Sequence, residues 1–335
     1  MTMRIALVGL GIRGTLFYNA LKTRSDVKLI AGCDISPARL EAFAREAGDI
    51  PLTGDIDELL AMRPDAVLVT TPDFAHREAV EKAAAAGAHI MVEKPLATSL
   101  ADAQAMERAV RQAGVSCMVA FENRWNPPFV AAKNAIDEGR LGDIVAINAR
   151  LNDTIWVPTS MLSWAARSSP GWFLLSHLAD MVWWLSGRSA QSVYAAGSRG
   201  KLQALGIDTW DGLQSVISCR DGLTATLTSS WILPESMATV FDCKMEIIGR
   251  DGAFYIDLTA PMATCLHKRA EGVSTLFADV HGRLQGAPVS MVHDFVDCLL
   301  AGRPVPVPLS DAVSNVALIE ALHRSAESGS VVGVE

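Results

Sequence analysis

The chain has 335 residues, half of them hydrophobic and a fifth charged, with a net charge of −8 at neutral pH. That length exceeds one ordinary core and suits two domains, and the balance is that of a globular chain rather than a disordered one. The acidic surplus gives no attraction to phosphate backbones or anionic lipid, so neither nucleic acid nor membrane is an expected partner.

The six cysteines, Cys33, Cys117, Cys219, Cys243, Cys265 and Cys298, form no C-x-x-C pair and no zinc spacing. They read as reduced, mostly buried thiols of a cytoplasmic protein. His267, His281, His293 and His323 show no metal-ligand spacing either, and no metal is expected. The early apolar stretch, residues 5–10, lacks a cleavage site and runs into glycines, which argues against a signal peptide. Residues 172–185 are interrupted by His177 and Asp180 and are too short to span a bilayer.

In chain order, residues 4–8 are a short apolar run ending at Gly9, Gly11 and Gly14, followed by a helical stretch to about residue 23. A second strand covers 27–31 and leads to Asp34. Ser36 before Pro37 is a helix start, and residues 55–58 repeat a capping pattern. Strand 66–69, helix 73–86, strand 89–92, a helix capped by Ser99 with Asp102, and strand 116–120 follow. Alternating helices and continuous apolar strands predict a doubly wound parallel sheet of the Rossmann kind, an α/β domain over residues 1–121.

After residue 121 the pattern changes. A helix over 128–138 leads to stretches of period two at 144–151, 213–219, 223–231, 241–248 and 253–258, with helices at 169–186, 289–301 and 310–328. This predicts an α+β domain over 122–335, built on a large, mostly antiparallel or mixed sheet with one open face. An apolar stripe is expected on that face, and with it pairing of copies into a homodimer or homotetramer.

Gly9-Leu10-Gly11-Ile12-Arg13-Gly14 is a G-x-G-x-x-G turn between strand and helix, the context that makes this pattern a dinucleotide fingerprint. Gly9 permits the turn, Gly11 lets a pyrophosphate approach, and Gly14 lets helix and strand pack. The helix N-terminus favours the phosphates. Asp34, twenty residues after Gly14, ends the second strand; a carboxylate there accepts from ribose hydroxyls and repels a 2′-phosphate, so NAD is expected over NADP. Arg39, just beyond, either neutralises a phosphate or is a solvated helix residue.

Further motifs are Thr71-Pro72 and His76 after the third apolar strand, Glu93-Lys94-Pro95-Leu96 after the next, Arg124, the helix from His177 through Asp180 to Gly187, and the late Asp294-Phe295 and Gly302-Arg303-Pro304 segments. Together they resemble the glucose–fructose oxidoreductase and inositol dehydrogenase (Gfo/Idh/MocA) family along nearly the whole chain. The resemblance implies an NAD(P)-dependent oxidoreductase that moves hydride between a nicotinamide and a carbinol or carbonyl carbon of a sugar, inositol or related polyol. It makes Lys94 and His177 the catalytic pair. Thr71, Pro72, His76, Glu93, Lys94, Trp164 and Arg167 join the fingerprint residues around the cofactor, and Arg124 joins Lys94 and His177 at the substrate. Lysine and histidine fit that chemistry, because oxidation of an alcohol carbon requires its hydroxyl proton to be taken near neutral pH. Asp180, on the same helix, is expected to orient a neighbouring group or the helix rather than to do chemistry.

One position departs from the family. An aspartate is usual four residues before the histidine, and this chain has Phe173. Asp153, Asp208 and Asp211 are candidates for the missing acid; the Asp208–Asp211 loop reads equally as a capped turn. Two other functions stay open on the sequence: NAD as an internally recycled cofactor for glycoside cleavage or epimerisation, and a dinucleotide or sugar sensor without turnover.

Overall fold

A computed structural model describes residues 2–259, 264–266, 270–272 and 277–334. They form two compact units, one of Met1–Glu122 with Phe277–Val313, the other of Asn123–Leu276 with Ser314–Glu335.

The first unit begins with β1 (Met3–Val8), α1 (Ile12–Leu21), β2 (Val27–Cys33), α2 (Pro37–Ala47), β3 (Leu52–Thr53) and α3 (Ile56–Ala61). It continues through β4 (Ala66–Val69), α4 (His76–Ala85), β5 (His89–Val92), α5 (Leu100–Ala113) and β6 (Cys117–Val119). The six strands form one sheet in the order β3-β2-β1-β4-β5-β6, every pair parallel. Every residue of β4 and all but His89 of β5 are buried, as a sheet covered on both faces requires. The strand order reverses between β1 and β4, which opens a crevice beyond their carboxyl ends.

Two of the expected caps form. Asp55 accepts from the Asp57 amide at 2.8 Å, and Ser99 Oγ accepts from the Asp102 amide at 3.2 Å. Ser36 makes no side-chain cap; its own amide donates to Asp34 Oδ1 at 2.9 Å, and α2 starts on the preset φ of Pro37. β3 leaves no mark in the sequence because two residues carry no periodicity.

The second unit holds α6 (Pro127–Asp137), β7 (Ile144–Thr154), α7 (Ser176–Ser186), β8 (Ala190–Ser198), α8 (Lys201–Ala204), β9 (Gly212–Cys219), β10 (Thr224–Leu233), β11 (Phe241–Gly249) and β12 (Ala253–Asp257). Two short hairpins follow, β13 (Thr264–Leu266) with β14 (Ala270–Gly272), and β15 (Phe277–Val280) with β16 (Arg283–Gly286). α9 (Ala287–Leu300), α10 (Leu309–Ser328) and β17 (Val332–Gly333) close the chain. The large sheet runs β12-β11-β7-β10-β9-β8-β17, with β7 and β10 parallel and all other pairs antiparallel. Its mixed character is the one expected. β8 is new, since its alanines, serines and glycine gave no clear alternation.

Side chains on the inward face of this sheet are buried, among them Ile147, Ala149 and Leu151 of β7 and Ala225, Leu227 and Trp231 of β10. The outward positions of the central strands are polar, in place of the expected apolar stripe, while Tyr194, Val216 and Tyr255 are exposed on the flanking strands. Asn148, Arg150 and Asn152 of β7 lie beside Thr226, Thr228 and Ser230 of β10 and Asp242, Lys244 and Glu246 of β11. Asp242 ties part of this face together, accepting from Arg150 at 2.7 Å, Asn152 at 3.1 Å and Thr259 at 2.6 Å. Threonine and serine suit the pleat without being apolar.

The sequence pattern also placed all residues after 121 in one domain. The break falls at 122/123, but residues 277–313 return to the first unit. α9 explains this. Its apolar stripe, with Val292, Phe295 and Val296 fully buried, packs on α1. Arg24 donates to Asp297 at 2.5 Å, and His293 Nε2–H donates to the Ala20 carbonyl at 2.8 Å. These contacts join residues 273 apart in sequence, beyond the reach of any local pattern.

Candidate active site

The carboxyl edge of the six-stranded sheet is built mainly from backbone. Gly9 sits at φ +92° after β1, and a Cβ there would fall 2.6 Å from the Thr70 carbonyl carbon. At Gly14 a Cβ would lie 2.1 Å from the Gly9 oxygen, so no larger residue fits either place. Gly11, the N-cap of α1, is different: a Cβ there meets nothing within 4 Å. Two glycines are consumed by packing and the third faces open space at a helix N-terminus, the cradle a pyrophosphate needs. Leu10 and Ile12 contribute backbone here, and the Ile12 side chain is exposed.

Asp34 closes the same edge. Its Oδ2 accepts from the Leu10 amide at 2.8 Å and its Oδ1 from the Ser36 amide at 2.9 Å. Each oxygen keeps a lone pair for a ribose hydroxyl. Arg39 lies exposed on α2. Thr71 and Pro72 are half-buried after β4. His76 is fully buried behind them, its Nδ1 3.1 Å from the Leu96 carbonyl and its Nε2 3.0 Å from that of Thr71. It thereby ties the loop after β4 to the segment after β5, and burial pushes its pKa down despite Asp73.

Lys94 follows β5 and is buried, with a cis peptide to Pro95. Around it lies a network only partly visible in the sequence. Arg13, read as a cofactor contact, donates from Nε to Glu93 at 2.6 Å and from Nη2 to Glu122 at 2.9 Å. Burial works against the Arg13 charge, yet Glu122 and Glu93 hold its pKa above the ordinary value. Burial pushes the Glu93 carboxyl up, opposed by Arg13, and Glu93 Oε2 accepts from the Lys94 amide at 3.2 Å. Burial depresses the Lys94 ammonium, opposed by Glu93 and Glu122. Glu122 went unread, although an acid just past the last strand of a parallel sheet was a visible signal.

The second unit gathers its candidates by side chains. Arg124 and Asp180 form a two-pronged ion pair, Nη2 to Oδ1 at 2.6 Å and Nε to Oδ2 at 3.1 Å, both side chains almost wholly buried. Asp180 therefore does orient a neighbour, and the neighbour is Arg124. A π-helical turn, Gly171–Leu175, precedes α7, and such widened turns recur where a helix serves a site. Phe173 and His177, about one turn apart, are half-buried while every residue between them is buried. Phe173 meets Trp164 edge-on, ring centres 6.1 Å apart, and Trp231 of β10 at 5.8 Å.

The support beneath that turn comes from α10. His323 stacks on Trp172 at 5.0 Å; its Nδ1–H donates to the Ile319 carbonyl and its Nε2 accepts from Ser169 Oγ, each at 2.7 Å. Ser169 Oγ in turn accepts from the Trp172 amide at 3.1 Å. A Cβ at Gly171 would fall 2.5 Å from the His323 ring. Trp231, His323 and Ser169 were not singled out from sequence, because nothing local connects them to Phe173.

Of the remaining candidates, Arg167 is exposed and Asp153 is buried on the inward side of β7, next to Asn152 on the outward side. Asp211 accepts from the Lys201 and Leu202 amides, each at 2.8 Å, at the start of α8. Asp208 is exposed and accepts from Gln203 at 2.8 Å. The capped-turn description is the one that fits this loop. Among the described residues no cluster of histidine, cysteine or acids could hold a metal, and no helix is long and apolar enough to cross a membrane. Cys265 and His267 fall outside the described side chains.

Comparison with known proteins agrees with this edge. The family model for the oxidoreductase family with an NAD-binding Rossmann fold, GFO_IDH_MocA, matches residues 3–121, and its C-terminal domain model matches residues 129–255. The chain belongs to the Gfo/Idh/MocA oxidoreductases. Like its family, it is an NAD-binding oxidoreductase. It is similar to myo-inositol dehydrogenase Hyg17 of Streptomyces leeuwenhoekii, 29% identical over 334 residues that cover 98% of this chain and 99% of the relative. It is also similar to the inositol 2-dehydrogenase of Rhizobium meliloti, 27% identical over 333 residues and 97% of each chain. In fold it matches the scyllo-inositol dehydrogenase of Lactobacillus casei, solved with NAD(H) and scyllo-inositol, at a TM-score of 0.85 and 22% identity, covering 100% of this Gfo/Idh/MocA chain and 99% of the other.

Proposed function

We propose that this NAD-binding oxidoreductase oxidises a secondary alcohol of an inositol or related polyol to the ketone, and runs the reverse reduction. The observation that carries the reading is the switch-point edge itself: two glycines that packing requires, a third facing open space, Asp34 at the end of β2 and Lys94 at the end of β5. NAD, when bound, supplies the acceptor for the hydride. The balanced change is loss of hydride from the carbinol carbon to the oxidised nicotinamide and loss of the hydroxyl proton to the protein.

His177 takes that proton in this reading. A half-buried imidazole keeps a path to solvent for releasing it, and imidazole is the side chain suited to proton exchange near neutrality. Lys94 steadies the oxygen as negative charge develops. Its burial makes a charge there effective while depressing the ammonium, and Glu93 and Glu122 oppose that depression. Arg124, oriented by Asp180, is the substrate-side cation in this reading.

Relatives named as inositol dehydrogenases support the substrate class. All five cysteines with described side chains are buried free thiols; burial pushes Cys33 to about 11 and Cys117 and Cys243 to about 12, which suits the cytoplasm. Assembly into a homodimer or homotetramer through the open, polar sheet face completes the proposal, and sedimentation at micromolar concentration checks it. The activity is tested by following NADH absorbance across inositols, sugars and sugar acids. His177→Ala should lower kcat by about 10²- to 10⁴-fold with NAD binding unchanged. Turnover without net NADH, or near wild-type kcat in His177→Ala, would overturn the mechanism.

A further inference from the structure

We propose that Phe173, held by Trp164 and Trp231, is a specificity residue: it selects a substrate that carries hydrogen or an alkyl group, rather than a hydroxyl, on a carbon one or two bonds from the reacting carbinol. The inference rests on His177 as the proton acceptor.

Phe173 is not a passive filler. Its ring is fixed from one side by Trp231, which is wholly buried on the inward face of β10, and edge-on by Trp164, which is half-buried. The turn that carries it is fixed in the same way. Gly171 leaves room only for the His323 ring, Ser169 holds the Trp172 amide, and the Asn315 side-chain amide donates to the Ser176 carbonyl at 2.8 Å. A ring with that much support stays where it is when a ligand arrives.

The spacing sets which atom it meets. Residues one helical turn apart have Cβ atoms about 5–6 Å apart. A carbinol hydroxyl within hydrogen-bond reach of His177 therefore places the carbon one or two bonds further round the ring opposite Phe173. A hydroxyl there would surrender its water against the Phe173 ring, whose carbons and hydrogens offer no ordinary hydrogen-bond partner in return. A C–H or methyl group loses nothing and gains contact area. The Asp208–Asp211 loop is held in a turn of its own, Asp211 accepting from the α8 amides and Asp208 from Gln203.

The test pairs each inositol with its monodeoxy derivatives, measuring NADH formation by the full-length protein. At least one monodeoxyinositol should exceed its parent in kcat/KM by about 10- to 100-fold, the range over which an apolar pocket discriminates one hydroxyl. Phe173→Asp should abolish or invert that ratio, while Phe173→Leu, which keeps the site apolar, should retain it and guards against a misfolded aspartate variant. Turnover of some polyol with the parent preferred over all its deoxy derivatives, or equal ratios in the Asp and Leu variants, overturns the inference and leaves hydride transfer standing. Should no compound reduce NAD, the reaction itself is refuted, and calorimetry of the same pairs on NADH-loaded protein decides the inference: tighter binding of the deoxy compound upholds it, equal or weaker binding removes it.

Discussion

The two units make their functional groups from different materials. At the edge of the parallel sheet the decisive groups are backbone: glycine amides, a helix N-terminus, and a carboxylate that is itself held by two amides. In the second unit they are side chains from distant segments, an arginine set by an aspartate 56 residues away and an aromatic trio drawn from a loop, a π-helical turn and a strand. Backbone sites are intolerant of any added atom but indifferent to most neighbours. Side-chain sites tolerate backbone variation but fail when one partner is removed.

Substitutions can break that contrast. The largest loss should come in the second unit, where Asp180→Ala removes the carboxylate that takes two hydrogen bonds from the buried Arg124 guanidinium; about 3–5 kcal/mol of stability should disappear in urea unfolding. If Asp180→Ala costs no more than a surface change, the ion pair does not organise this unit. In the first unit Gly14→Ala forces a Cβ against the Gly9 carbonyl, and NAD affinity should fall by about 100-fold, roughly 2.7 kcal/mol, in calorimetry. Arg39→Ala beside it should change NAD affinity by less than about twofold, since Arg39 is exposed on α2.

Asp34→Ser sharpens the comparison further by removing a charge while leaving the backbone cradle intact. NADP binding should improve relative to NAD by about tenfold, and an unchanged ratio would deny Asp34 its role in cofactor choice. The last effect is a pH slope. Burial holds His76 and His323 below their ordinary pKa, so each binds a proton more readily unfolded than folded in mild acid. The unfolded state then binds more protons than the native one, and stability falls as pH drops below about 6.5. Each histidine contributes at most about 1.4 kcal/mol per pH unit. His323→Gln should flatten the slope measured from urea midpoints between pH 7 and 5; an unaltered slope would show that His323 does not couple to folding.

Legibility followed the same divide. The glycine turn, Asp34, the alternation of strands and helices, and the caps at Asp55 and Ser99 are each written within a few dozen consecutive residues, and each is found where the sequence puts it. Arg13 was visible as a fingerprint residue, but its partners Glu93 and Glu122 lie 80 and 109 positions away. On the outward face of the large sheet the alternate threonines and serines are legible in the sequence, but the lateral rows they form with Arg150, Lys244 and Glu246 depend on strand order and register.

The sequence by itself determined the parallel sheet, the cofactor turn and the absence of an acid at position 173, because turn conformation, strand burial and residue identity are local properties of the chain. Only the tertiary structure decided that α9 belongs with α1, that Asp180 belongs to Arg124, and that Phe173 stands among Trp164, Trp231 and a turn pinned by His323. Those pairings join residues from 9 to 273 positions apart. What selects them is the requirement that buried charge find a partner and buried rings fill space, which acts through distance in the folded molecule and leaves no period in the sequence.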